Sequence, residues 1–211
     1  MSQRIGYWRG HKYKRHSVER DVEEFAGWSL LNKMVKKARA RDAAFIATAF
    51  ETGGRVTEVR MLERKNFDLE NPKVILVRDM RVVKRFHRQQ GKVIKDVVYR
   101  KTFPIRRDEP LSKIMIPWVE RSTGWLFPTN RGDEAYLGRT MSYNIARRIG
   151  DSVGKWIYPH WFRAQRASQL RFEYGFDVMD LMEFFAWRHF PTAMRYAKMG
   201  WRGLAEKMGV K

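Results

Sequence analysis

The spacing of the apolar residues changes along this chain, and that change constrains its fold more than any other feature. Residues 21–38 place apolar side chains at helical intervals: Phe25, Trp28, Leu31, Met34 and Val35. In contrast, residues 73–86 and 95–105 are rich in Val, Ile, Phe and Tyr and flank Gly91, which predicts a long β-hairpin. Further helices are predicted at 41–51, 56–62, 109–121, 138–150, 160–174, 177–186 and 191–199. We therefore expect an α+β fold that is mainly α-helical with one small antiparallel sheet.

The charge of the chain restricts its partners. Lys and Arg number 43 against 23 Asp and Glu, a formal net charge of +20, and the sequence pI is about 10.5. The chain is also 44% hydrophobic, so it can build a core. Such an excess of positive charge on a chain that folds indicates a polyanionic partner. Nucleic acid is the first expectation and an anionic membrane surface the second, while a basic protein without such a partner stays open.

The absence of cysteine excludes disulfides, thiolate zinc sites and cysteine nucleophiles. The five histidines stand at positions 11, 16, 87, 160 and 189, without the spacing of metal ligands. We therefore expect neither a metal nor another cofactor. No apolar run approaches the roughly 18 residues of a membrane span, and the opening MSQRIGYWRG has no signal core. The sequence thus predicts a soluble, intracellular protein associated with DNA.

Residues 1–20 differ from the rest of the chain. Six of the twenty are Lys or Arg, and no helical or strand period is visible. We interpret this segment as a basic arm that lies along phosphates, with four candidate DNA contacts: Arg9, Lys12, Lys14 and Arg15. An untethered terminus is the alternative. The remaining residues, 21–211, are expected to form one domain.

Four segments carry residues suited to phosphodiester chemistry. Arg55 follows a double glycine in AFETGGRVTEVR, and the predicted hairpin carries three lysines: Lys84, Lys92 and Lys95. In YPHWFRAQRAS, His160 and Arg163 are three residues apart and share one face of a helix. The segment FFAWRHFPTAMRYAK brings in Trp187 and Tyr196.

Together these segments resemble the tyrosine recombinase, or phage integrase, family. The family pattern T-G-x-R-x-x-E is matched by Thr52-Gly53-Gly54-Arg55 with Glu58, and its H-x-x-R by His160 and Arg163. The family's hairpin lysine precedes a Pro-Ile or Pro-Leu strand, here Phe103-Pro104-Ile105, and Trp187 stands nine residues before Tyr196, as a His or Trp does in the family. The agreement in order covers about residues 25–200.

The sequence departs from the family pattern in three respects. Phe185-Ala186-Trp187 replaces the usual Leu-Gly-His, and Thr192-Ala193 is only half of the usual threonine pair. No separate DNA-clamping domain precedes the second helix. The chain is therefore expected to be either a catalytic fragment or a minimal form in which the basic arm helps to hold the DNA.

The resemblance assigns a role to each residue. Arg55 and Arg163 are expected to hold the two non-bridging oxygens, since a guanidinium donates paired charged hydrogen bonds. His160 shares a proton with Tyr196 or donates to the phosphate. Tyr196 attacks to form a 3′-phosphotyrosine, and a hairpin lysine protonates the leaving 5′-oxygen.

The remaining candidates have smaller roles. Lys84 is preferred as the acid, with Lys92 and Lys95 left possible. Glu58 is expected to orient Arg55 or His160, and Arg166 is a further candidate DNA contact.

Several alternatives remain for the site. His189 could replace Trp187 if the helix register differs, and Tyr158 or Tyr174 could be the nucleophile. Trp187 could be an ordinary core aromatic and Lys84 a simple phosphate contact. The carboxylates of Asp177, Asp180 and Glu183 could suggest a two-metal nuclease, although their helical spacing favours a solvated face.

The function expected from the resemblance is site-specific cleavage and rejoining of duplex DNA in homo-oligomers of up to four chains. A type IB topoisomerase-like enzyme and a basic DNA-binding protein without catalysis are the alternatives. The segment after Tyr196 places Met199, Trp201, Leu204 and Met208 near helical spacing. We expect it either to dock on a neighbouring protomer or to fold back on its own core.

Overall fold

The fold was obtained as a computed structural model, which describes residues 5–8, 11–14, 25–82, 86–89, 92–95, 98–129, 135–197 and 208–209. Its helices are α1 (Trp28–Lys36), α2 (Ala40–Thr52), α3 (Val56–Arg60), α4 (Ser112–Arg121), α5 (Arg139–Ser152), α6 (Pro159–Tyr174), α7 (Val178–Phe185) and α8 (Phe190–Ala197). Its strands are β1 (Ile5–Trp8), β2 (His11–Lys14), β3 (Phe67–Asp68), β4 (Val74–Val77), β5 (Arg81–Val82), β6 (Phe86–Gln89), β7 (Lys92–Lys95), β8 (Val98–Tyr99) and β9 (Phe103–Arg106). The expected mainly helical α+β fold is confirmed.

The predicted hairpin is confirmed as an interrupted one. Strand β4 pairs with β9, β5 with β8, and β6 with β7, all antiparallel, so the three pairs are nested about the segment that contains Gly91. Strand β3 adds a third member beside β4. The second arm of the hairpin begins at Lys92 rather than at residue 95.

Helix α2 is the centre of the core. Every residue from Asp42 to Thr52 is buried, and the helix packs against α1, α4 and α6. The first helix begins only at Trp28, because the preceding Gly27 has a φ of 85°, which is incompatible with a right-handed helix. None of the helices in the described residues combines the length and apolar character that crossing a bilayer requires.

The structure differs from the sequence prediction within residues 1–20. Strands β1 and β2 pair antiparallel there, with Ile5 opposite Lys14 and Trp8 opposite His11. The two strands bond to each other through their backbone groups, and they form a separate two-stranded sheet. Such a pair does not require alternating apolar and polar residues, so the sequence pattern gave no sign of it.

Candidate active site

A tight turn between α2 and α3 presents Arg55. Gly53 ends α2 in the left-handed conformation, with φ 55° and ψ 25°. A Cβ atom would lie 2.2 Å from Phe185 Cε1 at Gly53 and 2.7 Å from Val59 Cγ2 at Gly54, so the packing leaves no room for a side chain at either position without a shift of its neighbours. Arg55 follows at once as the N-cap residue before α3, and its side chain is 28% exposed. That exposure leaves the Arg55 guanidinium accessible from solvent.

Glu58 is the buried carboxylate of the site. Its Oε1 accepts a hydrogen bond from Arg55 Nη1 at 2.6 Å, and its Oε2 accepts one from the Arg55 backbone N–H at 2.8 Å. The same carboxylate lies 3.8 Å from Arg163 Nη1. Burial acts to raise the pKa of Glu58, but Arg163 and Arg55 outweigh it and hold that pKa below its usual value. Glu58 is therefore ionised at neutral pH, and its expected role in orienting Arg55 agrees with this geometry.

Arg163 lies beneath the surface, on α6. Its side chain is 1% exposed. Nη1 donates to the carbonyl of Gly53 at 2.5 Å and Nη2 to the carbonyl of Phe185 at 3.1 Å. Burial lowers the pKa of Arg163 to about 10, with Glu58 opposing that effect, so the group remains cationic at neutral pH. The predicted contact between Arg163 and a phosphate therefore requires the side chains that cover it to move.

Three aromatic rings are stacked beside Arg163. The rings of Phe185 and Trp187 are 4.6 Å apart with 16° between their planes, and those of Trp187 and Tyr196 are 5.2 Å apart with 17°. The Arg163 guanidinium carbon is 5.4 Å from the Trp187 ring centre. Ala186 turns the chain with a φ of 51°, after which the Trp187 N–H donates to Met182. This turn carries the chain from α7 into α8 and places Tyr196 next to the arginine.

The environment of Tyr196 combines burial with positive charge. Burial raises the pKa of its phenol, Arg163 and Arg195 act to lower it, and Tyr158 acts to raise it. The net shift is upward, so in the described state the phenol is protonated at neutral pH. Activation of Tyr196 as a nucleophile therefore needs a base or a closer approach of cations.

The structure also locates the other candidates on α6 and around α8. His160 is exposed on the first turn of α6, one turn before Arg163. The ring that stacks on Tyr196 is that of Trp187, and His189 is exposed. Tyr174 donates its hydroxyl to Glu109 in the core, where burial and that carboxylate raise its pKa. These contacts favour Trp187 over His189 and Tyr196 over Tyr174, whereas Tyr158 lies close enough to raise the pKa of Tyr196 and stays an alternative.

The lysines and the arm fall largely outside the described residues. Lys84, Arg9 and Arg15 lie outside them altogether. The backbones of Lys12, Lys14, Lys92 and Lys95 are described in β2 and β7, but their side chains are not. Of the segment after Tyr196, Met208 is described and is exposed.

The prediction of Arg166 as a DNA contact is wrong. This side chain is buried, and its Nη1 lies 2.6 Å from Glu109 Oε2, 3.3 Å from Glu51 Oε2 and 2.7 Å from the Gln169 side-chain oxygen. The face of α6 that carries Arg166 turns inward toward α2, where the ionised Glu109 pairs with the guanidinium and Glu51, whose pKa is raised by burial, lies beside it. Arg166 is a structural residue of the core.

The three carboxylates around α7 are used in ordinary helix contacts. Asp177 and Asp180 each accept a hydrogen bond from the other's backbone N–H at 2.9 Å, which caps the start of α7. Glu183 pairs on the surface with Lys101 at 3.1 Å.

Arg100 is the residue that the sequence interpretation missed. It follows β8, is 3% exposed, and donates Nη1 to the carbonyl of Thr52 at 2.8 Å and Nη2 to the carbonyl of Phe184. Burial, with Arg163 and Arg55 nearby, lowers its pKa, while Glu58 acts to raise it. One among many basic residues, Arg100 has no spacing in the sequence that would single it out.

Comparison with known proteins identifies the family and the fold. The sequence model of the phage integrase family matches residues 23–200. No curated protein matches the chain. The structure is similar to the XerH site-specific recombinase bound to difH substrate, with a TM-score of 0.59 and 20% identity over 83% of this chain and 49% of that one.

Two further solved structures show the same fold. The Tn1549 transposon integrase in complex with circular intermediate DNA has a TM-score of 0.60 and 16% identity, over 92% of this chain and 69% of that one. The integrase from mycobacterium phage Brujita has a TM-score of 0.55 and 19% identity, over 94% of this chain and 58% of that one. This chain thus spans about half the length of XerH, 49%. The match over residues 23–200, together with the fold, establishes that the chain belongs to the phage integrase family.

Proposed function

We propose that this protein cleaves and rejoins duplex DNA at specific sites through a covalent 3′-phosphotyrosine on Tyr196. The observation that carries the proposal is one unbroken set of contacts. Arg55 pairs with Glu58, Glu58 lies beside Arg163, and Arg163 borders the stacked rings of Trp187 and Tyr196. Two arginines and a tyrosine, drawn from the turn before α3, from α6 and from α8, are thereby held at one place.

In the proposed reaction, Tyr196 Oη attacks the scissile phosphorus while the bond to the 5′-oxygen breaks. The proton of the phenol passes to His160 or to solvent, and Lys84 supplies a proton to the leaving 5′-oxygen. Arg55 and Arg163 stabilise the extra negative charge on the non-bridging oxygens. Rejoining is the reverse step, in which a 5′-hydroxyl displaces the tyrosine. The phosphotyrosine conserves the energy of the broken phosphodiester bond, so no ATP is consumed.

Arg55 and Arg163 differ in how they meet the phosphate. Arg55 is partly exposed, whereas Arg163 is covered. We infer that the scissile phosphate first meets Arg55, and that DNA binding moves the side chains that cover Arg163 far enough to admit the phosphate to it. This order supplies a reason for the protonated state of Tyr196 in the protein without DNA.

The proposal extends to the arm, the assembly and the place of action. The lysines and arginines of residues 1–20 contact phosphates, copies of the chain assemble on DNA up to a tetramer, and the protein acts on DNA inside the cell. The six lysines and arginines among these twenty residues support the arm's role.

A nicked duplex that traps the covalent intermediate tests the proposal. Wild-type protein should give a protein–DNA adduct that survives denaturant, and Tyr196→Phe should give none. Tyr174→Phe is the matched control, because its hydroxyl bonds to Glu109 in the core and should be dispensable for the adduct. An adduct that persists in Tyr196→Phe rules the assignment out. Relaxation of plasmids without sequence preference would instead indicate a topoisomerase-like activity.

A further inference from the structure

Two buried arginines bridge the same pair of helix ends. Arg163, from α6, donates to the carbonyls of Gly53 and Phe185. Arg100, which follows β8, donates to the carbonyls of Thr52 and Phe184. Each of these lies one residue before a carbonyl that Arg163 contacts. The C-termini of α2 and α7 are therefore joined by two parallel guanidinium bridges on consecutive residues.

The physical reason for this bridging lies in the helix ends. The last carbonyls of a helix lack partners within it and carry partial negative charge, so two C-termini that meet in the interior repel each other and need donors. A guanidinium has five N–H donors in a planar fork and stays charged when buried among acceptors. Arg100 is further held by the ring of Phe103, whose centre lies 3.9 Å from its guanidinium carbon.

The two bridges differ in what else they must do. Under the proposed function, Arg163 has to turn N–H groups toward the scissile phosphate, which weakens its hold on Gly53 and Phe185. Arg100 is also buried, bonds to the carbonyls of Thr52 and Phe184, and has no such second task. Its bridge keeps the end of α7 against the end of α2 while Arg163 engages the phosphate.

We propose that Arg100 is a positioning residue for strand cleavage, which fixes α7 and α8 so that Tyr196 is held in line with the phosphate bound by Arg55 and Arg163. This inference rests on the proposed function of Tyr196. It also connects the hairpin to the nucleophile, because Arg100 follows β8 directly.

The first test follows hydrogen exchange in the protein without DNA. Arg100→Met should lower the protection of the Trp187 N–H and of α8, while Arg100→Lys, which retains a charged donor, should restore part of it. Arg107→Met is the matched control, because Arg107 also donates to two main-chain carbonyls, those of Leu69 and Asn71, away from the site. Unchanged protection of Trp187 and α8 in Arg100→Met overturns the proposal whether or not the protein cleaves DNA.

The second test separates positioning from stability. With saturating nicked duplex, at a temperature where each variant is folded, Arg100→Met should cleave more slowly by on the order of 10²-fold, with an unchanged Kd for DNA. Arg100→Lys should recover most of the rate, and Arg107→Met should keep it. A wild-type rate in Arg100→Met, or a loss matched by Arg107→Met, contradicts the proposal.

A substrate with sulfur at the bridging 5′ position identifies the step. A thiolate leaves without a proton, so such a substrate rescues variants in which only leaving-group protonation has failed. Arg100→Met should not be rescued, because its defect lies with Tyr196. Rescue would place the defect in the hairpin lysine and overturn the proposal. If wild-type protein forms no adduct on any duplex, the proposed function fails, and hydrogen exchange alone decides the role of Arg100.

Discussion

The indole of Trp187 lies nearly parallel to the phenol ring of Tyr196, with ring centres 5.2 Å apart and 17° between the planes. The other face of the indole packs on Phe185. A flat ring at this position, where the family more often has a histidine, therefore packs between Phe185 and Tyr196 and restricts the orientation of Tyr196, the proposed nucleophile.

Replacing Trp187 tests the stack. Trp187→Ala should lower the free energy of unfolding by about 3 kcal/mol, because it removes a large buried ring, and should slow cleavage by on the order of 10²-fold by releasing Tyr196. Trp187→Phe should preserve most of both. Denaturant unfolding and single-turnover cleavage measure the two effects. Equal cleavage rates in the Ala and Phe variants would show that the stack is not needed for the reaction.

The raised pKa of Tyr196 predicts the pH dependence of cleavage. Burial favours the neutral phenol, so below its pKa the reactive phenolate should increase about tenfold for each pH unit. The cleavage rate of a substrate with a 5′-bridging sulfur should therefore keep rising between pH 6 and pH 9. A plateau above pH 7 would contradict this and point instead to a base that titrates near neutrality, such as His160.

Glu58 should make stability depend on acid. Its pKa in the folded protein lies below the ordinary value of 4.5, so the ion pair contributes fully above that value and is lost as the pH falls through the lower folded pKa. Glu58→Gln should lower the free energy of unfolding at pH 7 by about 3 kcal/mol, because a buried cation loses its counter-charge. It should also flatten the pH dependence below pH 5. Glu183→Gln, which changes an exposed pair, serves as the control in pH-resolved urea unfolding.

Gly53 should tolerate no side chain. Alanine there would hold a φ of 55°, and its Cβ would lie 2.2 Å from Phe185 Cε1. Backbone strain and overpacking together should cost about 3 kcal/mol. Gly124→Ala, at a position where an added Cβ meets nothing within 4 Å, should change stability by less than about 0.5 kcal/mol. Similar unfolding midpoints for the two variants would refute this account of the turn.

Ala186 occupies a conformation that suits glycine. With a φ of 51° it stands where the family commonly has glycine, so Ala186→Gly should raise the free energy of unfolding by about 1 kcal/mol. Ala146→Gly, within α5, should have the opposite sign, because glycine weakens a helix interior. Thermal unfolding of both variants measures the contrast. Destabilisation by Ala186→Gly would mean that the alanine methyl group packs favourably enough to offset its strain.

The sequence predicted the helices well because their signals are local. Apolar spacing located α2 and α6, and the double glycine marked the end of α2 before Arg55. The order of Arg55, Glu58, His160, Arg163, Trp187 and Tyr196 likewise predicted a shared site, and the structure brings Arg55, Glu58, Arg163, Trp187 and Tyr196 together.

The burial of arginine could not be predicted in the same way. Arg100 and Arg166 are charged residues in a very basic chain, and a local pattern assigns such residues to the surface. Arg166 is buried because Glu51 and Glu109 reach it from α2 and from the residues before α4, and Arg100 because helix ends distant in sequence offer it carbonyls. Both partnerships depend on tertiary contacts that no spacing encodes.

The meeting of α2 and α7 has a consequence for biosynthesis. The carbonyls of Thr52 and Gly53 are made first, and the helix end that shares their arginines is made more than a hundred residues later, at Phe184 and Phe185. A nascent chain that already contains Arg55 and Arg163 therefore lacks the bridge that orders them. Arg55, Arg163 and Tyr196 should therefore reach their mutual positions only after α7 and α8 have been made.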